Sequence, residues 1–261
     1  MVWADILHGD VVACLGTLPS ASADLAIADP DWQIRGDIAT GRKRNKVKFT
    51  QNRTGFDWWR PGDPTTRQEQ DAFTRCWVGA VERVLRPGGH LLVWYDAMRI
   101  SKVYEAAEAT WTRPVARQNL FWQKAYPVPR AGQVNFCPAV EVAAWITKDS
   151  AAKAVATFNA ELGQSSNIAL APQVKGLARV HPAQKPDAVL EWIVSYLSRP
   201  GDTVLDLFAG SFALTRVATE CARNVVAVER DLRCFGHVRA DIPGRTLRTI
   251  KEADDGISGV A

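Results

Sequence analysis

The sequence predicts an α/β fold. Short apolar runs alternate along the chain with stretches whose apolar residues recur at helical spacing. Residues 203–229 read as strand, glycine-containing turn, helix and strand, a complete β-α-β unit. Composition agrees: 47% hydrophobic and 23% charged residues are near the globular norm and exclude general disorder or a fibrous repeat.

Taken in order, residues 23–28 (ADLAIA) form an apolar run that ends at Asp29-Pro30, so they read as a buried strand with a polar C-terminal edge. Residues 33–66 are polar, rich in Gly, Pro, Arg and Lys, and show no period. A loop this long inside a compact domain is usually functional or mobile. Over 68–86, Phe73, Trp77, Ala80, Val81, Val84 and Leu85 recur at helical spacing, and Pro87-Gly88-Gly89 stops the helix. Residues 90–95 (HLLVWY), 118–123 and 141–146 read as strands. Residues 149–180 are rich in Ala, Ser and Asn with weak periodicity and read as a small insertion. Residues 187–197 are helical, 203–207 (TVLDL) a strand, 214–221 a helix and 224–229 (NVVAVE) a strand. No repeat or linker divides the chain, so residues 1–261 read as a single domain.

Charge and cysteine usage narrow the class. Lys+Arg 32 against Asp+Glu 28 gives a formal net charge of +4, which excludes a highly basic packaging protein but leaves room for local clusters. The 5 cysteines are far apart and contain no C-x-x-C, which argues against a zinc site or a disulfide framework and fits a reducing compartment. Asp5, His8 and Asp10 stand where a signal peptide needs an apolar run. No apolar stretch approaches the roughly 20 residues that span a bilayer. A cytoplasmic protein with no membrane partner and no metal is expected.

Three constellations carry chemistry. The first is Asp206-Leu207-Phe208-Ala209-Gly210-Ser211 with Glu229 after the next strand. A glycine at a strand-to-helix turn lets backbone approach a ligand, and an acid about 20 residues on accepts ribose hydroxyls. That spacing points to a nucleoside-containing cofactor; a plain β-α-β turn is the bland alternative. The second is His181-Pro182-Ala183-Gln184-Lys185-Pro186 before a helix. There Lys185 and His181 offer donors to an anion, or simply flank a proline-bounded helix start. The third is Ala28-Asp29-Pro30-Asp31-Trp32. It sets a carboxylate, a constrained carbonyl and a large aromatic face together at a strand end, or makes an ordinary turn. All three fall at element ends on what would be one edge of a sheet.

Their order resembles that of the permuted β group of amino-group DNA methyltransferases, which use S-adenosylmethionine. Family members read G-D-x-x-x-x-L-x-x-L-P and then D-P-P-Y; here Gly9-Asp10, Leu15, Leu18-Pro19 and then Asp29-Pro30-Asp31-Trp32 stand. L-x-P-G-G is matched by Leu85 to Gly89, W-x-K by Trp122-Gln123-Lys124, and E-x-x-x-W by Glu141 and Trp145. H-P-T-Q-K-P is matched by His181 to Pro186 with Ala183 for threonine, and D-P-F-x-G-S-G by Asp206 to Phe212. The resemblance covers residues 6–240.

The resemblance implies a Rossmann-like methyltransferase fold with a mostly parallel seven-stranded sheet, helices on both faces and a permuted motif order. It implies methyl transfer from S-adenosylmethionine to the exocyclic amine of a base flipped out of double-stranded DNA. Adenine N6 is favoured over cytosine N4, because family members that begin the tetrapeptide with Asp are more often adenine enzymes. Asp29 and the Pro30 carbonyl would accept the amine N–H groups, and Trp32 would stack on the base. Glu229 would hold the cofactor ribose. Asp206 and the backbone of Phe208, Ala209 and Gly210 would line the methionine moiety, with His181, Lys185 and Ser211 near its carboxylate or the helix start. A restriction–modification role, a bacterial, archaeal or phage origin and a homodimer are all compatible with it.

Two positions depart from the pattern. Asp31 replaces the second proline and adds a charge beside Asp29, which tends to raise one carboxylate's pKa. Phe212 replaces the second glycine and crowds a turn that should admit cofactor. They motivate a second reading, a catalytically impaired DNA-binding relative. Arg42, Lys43, Arg44, Lys46 and Lys48 cluster after the tetrapeptide. They read as a phosphate-gripping DNA-contact loop within 33–66, or as a solvated charge run. The short 149–180 segment stands where the family places its target-recognition region.

Overall fold

The computed structural model describes residues 2–30, 63–127, 136–149, 158–176, 179–181, 183–238 and 242–250. They build a nine-stranded sheet between two helical layers. The strands are β1 (Ala4–His8), β2 (Ala23–Ala28), β3 (Leu85–Tyr95), β4 (Pro114–Lys124), β5 (Val140–Lys148), β6 (Ile168–Ala171), β7 (Thr203–Leu207), β8 (Asn224–Glu229) and β9 (Thr246–Thr249). The helices are α1 (Val11–Thr17), α2 (Arg67–Val84), α3 (Ser101–Thr110), α4 (Asp187–Leu197) and α5 (Ala213–Glu220).

The strand order is β6-β4-β5-β3-β2-β7-β8-β1-β9. All neighbours pair parallel except β5, which runs antiparallel to both β3 and β4. Seven strands were expected; two short edge strands make nine. One of them, β6, comes from the 149–180 segment and pairs with β4, and β9 pairs with β1. Each is four residues long, too short to show a period.

Central strands bury both faces, so they read as continuous apolar runs. Every residue of β2 is buried. Alternation assigns Leu25 and Ile27 to the layer of α4 and α5, and Ala26 and Ala28 to the layer of α1, α2 and α3. Leu92 and Trp94 of β3 join the first layer, Leu91 and Val93 the second. The buried Asp24 is fully used: it accepts from the Arg86 guanidinium at 2.8 Å and from the Thr203 N–H at 2.8 Å. It thereby ties the starts of three adjacent strands.

The helix expected over 68–86 runs over Arg67–Val84 and opens on a capping box between Thr66 and Glu69. It stops two residues earlier than expected because the residue before a proline avoids helical backbone, and Arg86 precedes Pro87. Leu85 to Gly89 instead begin β3 along β2. A Cβ on Gly89 would lie 2.9 Å from the Arg86 carbonyl oxygen and 3.0 Å from that of Asp24, so this crossing admits only glycine. No helix among the described residues is long and apolar enough to cross a membrane.

Strand β2 leads to β3 on one side and β7 leads to β8 on the other, so β2 and β7 flank the point where strand order reverses. In open α/β sheets, ligands bind outside the strand C-termini at such a point. Asp29 and Phe208 follow the last paired residues, Ala28 and Leu207. Glu229 ends β8 opposite His8.

Candidate active site

The turn after β7 has an unusual backbone. Phe208, Gly210 and Phe212 all have positive φ, at 64°, 51° and 56°. Gly210 has no alternative: besides its left-handed φ, a Cβ would meet the His181 ring at 3.1 Å. Phe212, the residue expected to crowd the turn, is 2% exposed; its ring packs edge-on against Phe235, centroids 5.5 Å apart. The Phe208 ring packs against Trp77 at 5.5 Å and Phe73 at 6.2 Å. Both rings of the turn are thus committed to packing, and the turn presents backbone at the sheet edge.

Glu229 is tied to that turn. Its carboxylate accepts the Gly210 N–H at 2.7 Å on one oxygen and the Asp231 N–H at 2.7 Å on the other. Burial pushes its pKa above the ordinary value. Asp206 is buried and accepts two bonds on one oxygen, from the Thr215 N–H at 3.0 Å and the Thr215 hydroxyl at 2.6 Å. Burial raises its pKa to about 7. Ser211 Oγ accepts from the Ala213 N–H at 3.4 Å, at the start of α5. The Ala209 N–H donates to the Val228 carbonyl at 2.9 Å and holds the turn against β8.

His181 faces Gly210 through Nε2, and its Nδ1 accepts the Ala183 N–H at 3.2 Å. An accepting Nδ1 fixes the neutral ring with its proton on Nε2. Burial agrees, lowering the His181 pKa to about 4. At neutral pH this ring is a neutral wall of the turn and carries no charge toward an anion.

Lys185 is almost fully buried. Its Nζ donates to Asp29 Oδ2 at 2.5 Å, lies 3.3 Å from Glu141 Oε2, and sits 5.3 Å above the Trp94 ring centroid. Glu141 Oε1 in turn pairs with Lys124 Nζ at 2.8 Å. Four alternating charges therefore run from Asp29 at the end of β2 through Lys185, before α4, to Glu141 of β5 and Lys124 of β4. Burial pushes the Asp29 carboxyl above its usual range against the pull of Lys185. Burial also opposes the Lys185 charge, but Asp29 and Glu141 outweigh it and hold its pKa above ordinary. Glu141 is held below ordinary because its two lysines outweigh its own burial. A cleft of about 120 Å³ opens beside this row, lined in part by Trp122, Glu141, Gln173, Lys175 and Gln184.

The structure thus brings Asp29, Pro30, His181, Lys185, Asp206, Phe208, Ala209, Gly210, Ser211 and Glu229 to one sheet edge. Asp31, Trp32, Arg42, Lys43, Arg44, Lys46, Lys48 and Pro182 lie outside the described residues. The sequence reading set Lys185 near a cofactor carboxylate or the helix start; it stands just before α4, and its ammonium is shared by two protein carboxylates. It gave no role to Glu141 or Lys124, although W-x-K and E-x-x-x-W were the signals that carried them. Thr215, which holds Asp206, has no signal beyond its place in the first turn of α5.

Comparison with known proteins gives the family and the fold. The N6/N4 methyltransferase family model, described as DNA methylase, matches residues 24–235. Among curated relatives, the type II methyltransferase M.HinfI of Haemophilus influenzae is 28% identical over 268 residues, covering 94% of this chain and 68% of the relative. The type II methyltransferase M2.DpnII of Streptococcus pneumoniae is 25% identical over 236 residues, covering 87% and 84%. Among solved structures, the M1.HpyAVI–SAM complex superposes with a TM-score of 0.66 at 22% identity, covering 90% of this chain and 96% of that one. The cytosine-N4-specific PvuII DNA methyltransferase superposes at 0.68 and 15% identity, covering 94% and 89%. These two share the fold. The family match spans every motif from β2 to the residues after β8, and the chain belongs to the S-adenosylmethionine-dependent amino-group DNA methyltransferases.

Proposed function

We propose that this protein methylates adenine N6 in double-stranded DNA, acting on a base flipped out of the helix. The observation that carries this reading is the pairing of β2 with β7, which sets Asp29-Pro30 beside the Gly210 turn at the strand-order reversal. An exocyclic amine is a poor nucleophile because its lone pair is delocalised into the ring. Asp29 and the Pro30 carbonyl accept its N–H groups and favour a pyramidal nitrogen, so stabilisation falls where charge develops. Asp29 is also the acceptor for the proton that the nitrogen sheds.

The residues of the turn fit the cofactor: two rings packed away, a left-handed glycine, and a carboxylate at the next strand tip. Glu229 binds the ribose hydroxyls, and Gly210, Ala209, Phe208 and Ser211 line the methionine moiety with backbone. Asp206 braces that turn from below through Thr215, and His181 walls it. When bound, the cofactor supplies a sulfonium methyl group whose carbon–sulfur bond breaks, its electron pair going to sulfur, as the amine nitrogen forms the new bond. Trp32 stacks on the flipped base and Asp31 borders it. Arg42, Lys43, Arg44, Lys46 and Lys48 grip phosphates, and the 149–180 segment contributes to target recognition.

Nucleoside mass spectrometry of DNA from cells expressing the protein tests the reading. N6-methyladenine is expected, lost by at least about 10³-fold with Asp29→Ala while calorimetric cofactor binding persists. N4-methylcytosine would move the target to cytosine. Neither product, with cofactor binding intact, would make this a binding relative. Loss of cofactor binding in Asp29→Ala would refute the role of Asp29.

A further inference from the structure

Glu141 has no place in the chemistry above, yet it is built into the site. It lies near the start of β5, where Trp122 of β4 pairs opposite it and Trp94 of β3 pairs two positions on, with Ala143. Lys185 has one ammonium and two carboxylate partners, and that ammonium is 7% exposed on a tryptophan face. What one carboxylate takes of it, the other gives up. Lys124 fixes Glu141 from the far side and lies 5.4 Å over the Trp122 ring. Among the described residues, Asp29 Oδ1 accepts no hydrogen bond.

We propose that Glu141 is a positioning residue for methyl transfer: anchored by Lys124, it shares the Lys185 ammonium with Asp29 and offsets part of that positive charge. Lys185 thereby favours the ionised form of Asp29 while Glu141 keeps it basic, and the oxygen that Lys185 does not hold is left for the substrate amine. This rests on the reading of Asp29 given above. A lysine paired with Asp29 alone would neutralise the acceptor; no lysine at all would let burial protonate it. Sharing one ammonium between two carboxylates keeps Asp29 between these limits. A cation held by two anions is also locked in place, so the acceptor is oriented as well as charged.

The two substitutions Glu141→Gln and Lys185→Met have opposite signs. Removing the Glu141 charge takes away a group that raises the Asp29 pKa, so the acid limb of kcat moves to lower pH. Removing the Lys185 charge takes away one that lowers it, so the limb moves to higher pH. The charged groups that act on Asp29 are Lys185 from the segment before α4 and Glu141 of β5, with Asp206 of β7 beneath; Lys124 of β4 acts through Glu141, and the His181 ring is neutral. Asp206 titrates near 7 from beneath the turn, and neither substitution touches it.

The test measures methyl transfer to unmethylated bacterial genomic DNA across pH, with S-adenosylmethionine saturating, for the wild type and both variants. Expected are a roughly 10- to 100-fold fall in plateau kcat for each, unchanged KM for S-adenosylmethionine, and acid limbs displaced in opposite directions. Limbs displaced the same way, or not at all, would overturn the proposal. Carbon-13 titration of labelled aspartate reads the Asp29 midpoint without turnover. It is expected to fall in Glu141→Gln and rise in Lys185→Met, and any other pattern also overturns the proposal. A wild type that transfers no methyl group overturns the functional reading, while the midpoints still decide this one.

Discussion

Asp206 and His181 stand on either side of the Gly210 turn, and burial pushes their pKa values in opposite directions, to about 7 and about 4. The consequences for stability differ in sign. Asp206 has a folded pKa above its unfolded value of 3.8, so its contribution is fully present below that value and is lost as pH rises through about 7. His181 has a folded pKa below its unfolded value of 6.5, so its contribution is present above 6.5 and is lost as pH falls through about 4. Asp206→Asn keeps an oxygen for the two Thr215 bonds and removes the ionisation. Its melting temperature relative to wild type is expected to improve from pH 5 to about pH 7 and to level off above it; a difference independent of pH would contradict the assignment. Neither environment could be read from the chain: DLFAGS shows a turn and an acid, but the threonine and histidine that set the local chemistry arrive from other elements.

At the scale of elements, α5 begins on a phenylalanine in left-handed backbone, a conformation that costs an L residue about 1–2 kcal/mol. Replacing a buried phenylalanine ring by nothing costs about 3–5 kcal/mol. Phe212→Gly relieves the first and incurs the second, for a net loss of about 2 kcal/mol and a melting temperature lower by about 5 °C. A variant as stable as wild type would show that the Phe235 contact contributes little. The glycine of the family pattern is therefore replaced here by a residue that packs inward, which could not be foreseen from the turn's sequence alone. The apolar runs 23–28, 203–207 and 224–229 and the helix 187–197 appear as read, because central strands and long amphipathic helices carry their burial in their pattern. The reading passed over β1, α1 and α3. Helix α1 has seven residues, and α3 buries only Val103, Ala106 and Ala107 and has no side-chain cap. Short elements packed through small side chains leave little periodic signal.

Over the whole molecule, a formal charge of +4 is unevenly spread, with five cationic residues within 42–48, beyond the end of β2 in the sequence. If each contacts a phosphate, binding to DNA should fall with salt at a log–log slope of about −4.5, from about −0.9 per contact. Replacing all five by glutamine is expected to flatten the slope almost completely, measured by fluorescence anisotropy between low and physiological salt. An unchanged slope would place the contacts elsewhere. The motifs were legible at this scale because their described residues sit at element ends. The site's wiring was not, since Asp29, Lys185, Glu141 and Lys124 come from four separate stretches and only the folded sheet edge brings their charges into one row.

The pairing of β2 with β7 joins Leu25 to Val204 and Ala28 to Leu207, across most of the chain. During synthesis, β2 and β3 emerge from the ribosome early and can pair, but the other edge of β2 must wait for β7. Until then a mostly apolar strand carries an open edge, the kind of surface that chaperones cover and that seeds aggregation. Because the Asp29 side of the candidate site is made first and the Gly210 side last, the two sides meet only on closing this long-range contact, and on the proposed reading cofactor affinity can be followed as a marker of completed folding.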